Sequence, residues 1–161
     1  MFDVNVRGTF LTSQAAIPHL RESAIHGRNP HILTLSPPLS MKAEWFKNHV
    51  AYTMAKYGMS MCVLGMSEEF RPDGIAVNAL WPRTAINTAA LAMIPGVDTA
   101  ACRKPEILAD AAYLILNRSA VECTGNFFID DEVLASEGIT DLDRYSVVPG
   151  TTDFLIDFFL D

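Results

Sequence analysis

Ile75-Ala76-Val77-Asn78-Ala79-Leu80-Trp81-Pro82 decides the fold. The run is apolar at nearly every position and lacks the alternation of a strand with one wet face. Opened by the turn residues Pro72-Asp73-Gly74 and closed by a proline, it reads as a strand buried on both faces. Such strands belong to parallel sheets covered by helices, and parallel neighbours need long crossovers. The flanking sequence supplies them. Upstream, residues 48–70 carry a long helical pattern, preceded by a second β-prone run, His31-Ile32-Leu33-Thr34-Leu35-Ser36, which Pro37-Pro38 stops. Downstream, Pro105-Glu106 opens another helix, with proline near its first position and an acid in its first turn. Thr124-Gly125 then leads into a third run, Asn126-Phe127-Phe128-Ile129-Asp130. A first helix is expected over residues 4–22, kinked or ended by Pro18. A loop of small residues is expected between residues 83 and 102. Strands alternating with helices in this way make the chain α/β, with about three parallel strands.

The 161 residues are half hydrophobic and 19% charged, which fits one globular domain or part of a larger one. No apolar run reaches the roughly 18 residues of a membrane span, so none is expected. Met1-Phe2-Asp3-Val4-Asn5 lacks the basic and apolar regions of a signal peptide. Cys62, Cys102 and Cys123 are far apart, and His19, His26 and His31 form no cluster, so no metal site is expected. Such cysteine usage suits a reducing compartment, with the cytoplasm as default. The net charge of −7 is uneven: residues 1–129 hold 11 basic and 10 acidic side chains, whereas residues 130–161 set Arg144 against nine acids. A near-neutral body and an acidic tail argue against nucleic-acid binding, which favours a basic face. The acids of the tail read first as a solvated segment. Its apolar residues, in Asp153-Phe154-Leu155-Ile156-Asp157-Phe158-Phe159-Leu160, suggest that it packs back on the body.

Tyr52-Thr53-Met54-Ala55-Lys56 carries the chemistry. Tyrosine and lysine at i and i+4 share one helix face. An ammonium beside a phenol stabilises the phenolate and is expected to lower the tyrosine pKa, which suits proton exchange with an alcohol or carbonyl. Two hydroxyls upstream, Ser36 at the strand end and Ser40, are candidates to hydrogen-bond the substrate oxygen, and Asn5 places a polar group in an apolar stretch. On the same helix Ala51, Ala55, Gly58, Cys62 and Gly65 form a stripe of small side chains. The stripe fits close packing on the chain's own sheet and packing on a partner helix in a homo-oligomer through residues 48–70 equally well. Met54, Met59, Met61 and Met66 read as core or interface filler. Trp45 and Phe46 read as cover for a substrate pocket or as packing.

Taken in order, these landmarks resemble the short-chain dehydrogenase/reductase family over about residues 1–130. Asp3-Val4-Asn5-Val6-Arg7-Gly8-Thr9 is similar to the segment carrying the family's catalytic asparagine, and His31–Ser36 to the strand leading to its serine. Tyr52 and Lys56 match the Tyr-x-x-x-Lys element. Residues 75–82 and Thr124-Gly125 resemble the next strand and the Thr-Gly step before the last one. Ser36-Pro37-Pro38-Leu39, Tyr57-Gly58-Met59-Ser60-Met61 and Ala79-Leu80-Trp81-Pro82 look most like the hydroxysteroid dehydrogenase-like type 2 subgroup.

The resemblance implies the C-terminal part of a Rossmann-type doubly wound parallel sheet, with residues 1–139 as the catalytic part and 140–161 as a tail. Tyr52 would be the general acid or base, and Lys56 would lower its pKa and hold the nicotinamide ribose. Ser36 or Ser40 would orient the carbonyl, with Ser36 preferred, and Asn5 would hold a relay water. Tyr52, Lys56, Pro82 and Thr88 would contact the cofactor, NAD(P), with NADP somewhat ahead of NAD, although the segment that normally decides between them is not in these residues. The sequence departs from the family pattern at Pro82-Arg83, where Pro-Gly is usual, and at Asp130-Asp131-Glu132, where Asp-Gly-Gly is usual.

No Gly-rich phosphate loop stands among the 161 residues, so the family's cofactor-binding half is expected to be missing. The chain alone is then expected to be inactive and poorly soluble, with an apolar strand edge at residues 31–36. Two functions follow. The first is the catalytic part of a nicotinamide-dependent oxidoreductase for an apolar hydroxyl/carbonyl pair. The second is a non-catalytic remnant acting through self-association or a partner.

Overall fold

A computed structural model describes residues 1–160. A π-helical turn, Asp3–Arg7, runs into α1 (Gly8–Ile25). Then follow β1 (His31–Leu35), α2 (Val50–Glu69), β2 (Ala76–Trp81), α3 (Ala89–Ala92), α4 (Glu106–Leu116), β3 (Phe127–Ile129) and α5 (Asp130–Ser136). The strands form one parallel sheet in the order β1-β2-β3. His31 pairs with Ala76 and Leu35 with Leu80, and Ala79 pairs with Phe127. The α/β, Rossmann-type architecture expected from the sequence is therefore present.

Every residue of β2 is buried because both of its faces are covered. Successive side chains point to opposite faces. Val77 and Ala79 join Val63 and Met66 of α2, Phe70 just past it and Ile17 of α1 in one cluster. Leu80 packs on the other side with Ala111 and Ile115 of α4 and Val133 of α5. Asn78 is the polar exception in β2, and its side chain is satisfied. It donates to the Cys123 carbonyl at 2.7 Å and accepts from the Asn126 backbone N–H at 2.9 Å, tying β2 to the approach of β3.

Three local expectations need correction. Pro18 neither ends nor breaks α1, which continues to Ile25. Pro18 and Gln14 are exposed, so the carbonyl released one turn back is open to water. The segment after β2 is not a plain loop, since α3 and a 3-10 turn at Thr99–Ala101 lie within it. The third strand ends at Ile129, and Asp130-Asp131-Glu132 instead forms the first turn of α5. Acids there suit the positive end of a helix. Along the small stripe Ala55 is buried while Ala51 and Gly65 are exposed, and a Cβ on Gly58 would lie 2.6 Å from Cγ2 of Val6, so Gly58 admits the π-helical turn onto α2. A Cβ on Gly65 would meet nothing. Of the methionines, Met66 is core, while Met54 and Met61 are exposed.

Residues 140–160 pack on the body. Thr84 bridges antiparallel to Ile156, and Arg103 to Ser146. No helix among the described residues is long and apolar enough to cross a membrane.

Candidate active site

Tyr52 lies in the first turn of α2 and Lys56 one turn later, both half-buried. Beside them ends β1. Ser36, one residue past that strand, is fully buried, and its hydroxyl has no hydrogen-bond partner among the described residues. A buried hydroxyl left unpaired costs stability, so its presence calls for an explanation beyond packing. Ser40 is partly exposed, and its Oγ accepts from the Lys42 backbone N–H at 3.4 Å, closing a local turn.

Two hydroxyls of α2 fix the loop that carries these serines. Ser60, fully buried, donates to the Pro37 carbonyl at 2.6 Å, and it also approaches the Lys56 carbonyl at 3.4 Å. Ser36 is thereby tied to the turn of α2 that bears Lys56. Thr53, also buried, donates to the Trp45 carbonyl. Sequence reasoning passed over both residues. Their signal was a Ser and a Thr in a buried apolar helix, where a hydroxyl must find an acceptor.

Asn5 is separate from this group. Its side-chain amide donates back to the Met1 carbonyl at 3.0 Å within the π-helical turn, and no hydrogen bond joins it to Tyr52, Lys56 or Ser36. Its neighbour Val6 does reach α2 at Gly58. Pro82 is buried at the end of β2. Thr88 caps α3, its Oγ1 accepting from the Leu91 N–H at 3.3 Å.

An aromatic cluster surrounds the pair. Tyr57, Trp81, Ile129 and Phe159 form its buried centre, with Leu39, Trp45, Phe46 and Tyr52 packed against it. Trp45 and Phe46 thus do pack, Trp45 near Phe159 and Phe46 edge-on to Tyr57. Lys56 Nζ lies over the Trp81 ring, 5.2 Å from its centroid. Phe158 and Phe159 come from the tail, whose acids read from sequence as merely solvated. Backbone bonds hold this strap: Ala85 N–H to the Leu155 carbonyl at 2.8 Å, Leu155 N–H to Ala101 at 2.9 Å and Asp157 N–H to Arg83 at 3.0 Å. The Trp81 indole N–H donates to the Phe158 carbonyl at 2.9 Å.

The electrostatics correct one expectation. Burial, reinforced by Asp157, pushes the Tyr52 phenol up from its ordinary value rather than down. Burial also lowers Lys56, against which Asp157 acts, and burial raises the Asp157 carboxyl. The apolar enclosure disfavours each charged form. Lys56 makes no hydrogen bond to the phenol that would reverse this for Tyr52.

The two departures from the family pattern are partners. The Arg83 guanidinium pairs with Asp131 at 2.6 Å and with Glu132, while the Arg83 N–H donates to Asp130 Oδ1 at 2.9 Å. Asp130 is fully buried, and burial lifts its carboxyl to about 6. No group of His, Cys, Asp and Glu among the described residues has the makings of a metal site.

Comparison with known proteins fits this geometry. A family model described as "Enoyl-(Acyl carrier protein) reductase" matches residues 1–125. Hydroxysteroid dehydrogenase-like protein 2 of Danio rerio is 59% identical over 162 residues, covering 100% of this chain and 37% of that protein. The chain thus spans little more than a third of the length of that curated relative. Among solved structures, a putative dehydrogenase from Xanthomonas campestris superposes with a TM-score of 0.92 at 54% identity, over 99% of this chain and 57% of the other. A short chain dehydrogenase from Mycobacterium thermoresistibile does so at 0.86 and 47%, with the same coverage. By its motif order, its sheet and these matches, the chain belongs to the short-chain dehydrogenase/reductase family.

Proposed function

We propose that the chain is the catalytic part of a nicotinamide-dependent oxidoreductase that interconverts a hydroxyl and a carbonyl. The observation that carries this reading is the Ser36 hydroxyl, buried, unpartnered and fastened by the Ser60–Pro37 bond to the helix that bears Tyr52 and Lys56. A substrate oxygen held between the Ser36 and Tyr52 hydroxyls gives that orphan its partner.

In the reducing direction Tyr52 donates its proton to the carbonyl oxygen, and in the oxidising direction it accepts the alcohol proton. The raised phenol pKa keeps Tyr52 protonated at neutral pH, which suits the donor role in reduction. Ser36 orients the oxygen, and Ser40, already engaged with Lys42, is the lesser candidate. Lys56 supplies a nearby positive charge and a donor for a ribose hydroxyl. Asn5 belongs to the site only as a water-holding residue, through its turn against α2.

A nicotinamide, when bound, supplies or takes the hydride, while the protein contributes orientation and proton management. The residues present fit one end of such a cofactor. Ligands of open parallel sheets lie beyond the carboxyl ends of the strands, where Ser36 and Pro82 follow β1 and β2. Thr88 keeps its hydroxyl proton free to donate while it caps α3. The aromatic and aliphatic lining from Leu39, Trp45 and Trp81 suits an apolar substrate.

The test is turnover of NADPH and of NADH with apolar ketones by the natural protein. Turnover that Ser36→Ala suppresses and Ser40→Ala spares supports the reading. No nicotinamide-dependent turnover with any carbonyl contradicts it.

Self-association has its own support. Met54, Met61 and Leu64 of α2 are each at least half exposed, at 50%, 56% and 53%. We infer that a second copy covers this face, and a concentration-dependent mass in analytical ultracentrifugation would bear that out.

A further inference from the structure

The C-terminal strap brings one ionisable group, Asp157, up to the aromatic cluster that its neighbours Phe158 and Phe159 join, and the proposed proton transfer does not use it. Asp157 sits between two anchors. Its own N–H is bonded to the Arg83 carbonyl at 3.0 Å, and the carbonyl of the next residue, Phe158, accepts from the Trp81 indole at 2.9 Å. The ring of that same Trp81 lies under Lys56 Nζ. Two residues on, Phe159 stacks on Tyr52. Contacts thus run from Lys56 to Trp81, from Trp81 to the strap at Phe158 and from the strap to Tyr52 at Phe159, and Asp157 is the strap residue next to the first of these anchors. One carboxylate oxygen, Oδ1, accepts from the Phe158 N–H at 2.6 Å, which fixes the side chain's rotation.

The charged surroundings of Asp157 are few. From α2 come Lys56 and Tyr52, and just before it His49, edge-on to Phe158 at 5.1 Å. Cys102 also feels the Asp157 charge. The Arg83 guanidinium is turned away to Asp131 and Glu132 of α5. Arg103 lies over the Phe154 ring earlier in the strap, so Lys56 is the cation whose charge acts on Asp157, and no direct ion pair joins them among the described residues.

We propose that Asp157 is a positioning residue for the Tyr52–Lys56 pair: its carboxylate, delivered by the strap, keeps the Lys56 ammonium charged inside an enclosure of aromatic rings. A half-buried ammonium tends to lose its proton, and a fixed carboxylate nearby opposes that. The same carboxylate holds the Tyr52 phenol protonated. The directions of the perturbations agree: Asp157 acts upward on both Lys56 and Tyr52, and Lys56 acts downward on Asp157. The inference rests on the reading of Tyr52 and Lys56 as the proton-transfer pair, but its test needs no turnover, so the two can fail separately.

The test is an ultraviolet titration of tyrosinate absorbance, with Tyr52 isolated by subtracting Tyr52→Phe in each background. Asp157→Asn should lower the Tyr52 midpoint, and Asp157→Glu should restore it toward wild type. A midpoint unmoved in Asp157→Asn overturns the proposal. So does a shift that Asp157→Glu fails to reverse, since a purely structural role would respond to shape rather than charge. If circular dichroism shows Asp157→Asn unfolded, the reciprocal measurement decides. Lys56→Met should raise the Asp157 carboxyl midpoint in carbon-13 NMR, and an unchanged midpoint overturns the proposal.

Discussion

Phe159 lies against Tyr52 with ring centroids 6.0 Å apart and planes 12° from parallel. The contact joins the end of the tail to the residue proposed to move the proton. Phe159 is 3% exposed and also meets Tyr57, Trp45 and Trp81. Its backbone holds a φ of 73°, which a phenylalanine rarely adopts unless its packing over-determines it. Phe159→Ala should therefore cost about 3 kcal/mol in urea denaturation, at the low end for a buried ring. A change of only a few tenths would mean that the strap is not part of the core.

Ser60 supports Ser36 from beneath. Ser60→Ala removes the donor to the Pro37 carbonyl and leaves a buried acceptor unpaired, which costs about 1–3 kcal/mol. Thermal melts should show the loss, and turnover should fall further than stability explains, because the loop carrying Ser36 loses its tie to α2. Unchanged turnover would detach Ser60 from the site.

Gly58 and Val6 should show coupled behaviour. Gly58→Ala gains roughly 1 kcal/mol of helix propensity. It also places a methyl 2.6 Å from Cγ2 of Val6, where overpacking typically costs about 1–3 kcal/mol. The single change should destabilise in wild type and stabilise in a Val6→Ala background. A double-mutant cycle of denaturation midpoints reads this sign reversal directly.

Asp130 gives the fold a pH dependence. Its carboxyl stands at about 6 in the folded chain against an ordinary value of 3.8, so the native state holds the proton more tightly than the unfolded state. That contribution is fully present below pH 3.8 and is lost as pH rises through about 6. By linkage it amounts to up to about 3 kcal/mol. Asp130→Asn keeps an acceptor for the Arg83 and Asp131 N–H groups but does not titrate. Between pH 4 and 7 the variant should gain stability relative to wild type. A constant difference across that range would remove Asp130 as the cause.

The fold was legible because β2 is apolar on both faces, and only a covered parallel strand tolerates that. The Tyr52–Lys56 pair was legible from its spacing on a helix, and Ser36 from its place at a strand end. What stayed hidden depends on long-range contact. Asp157 and Phe159 lie about a hundred residues from Tyr52, and an acid among aromatics in a tail carries no local sign of its partner. The upward push on the Tyr52 phenol comes from that same tail and from burial, neither of which the i, i+4 rule sees. Pro82-Arg83 and Asp130-Asp131-Glu132 read as two unrelated departures until the guanidinium was placed between its carboxylates. Pro18 does not end α1, and the cost of a helical proline depends on whether the freed carbonyl reaches water.

The most direct measurement is the ratio of nicotinamide-dependent turnover between the natural protein and its Tyr52→Phe variant. The substitution keeps the ring stacked on Phe159 and removes only the hydroxyl. If Tyr52 is the proton donor, turnover should fall by about 10²–10⁴-fold while nucleotide binding persists. Turnover within a few-fold of wild type would contradict the assignment.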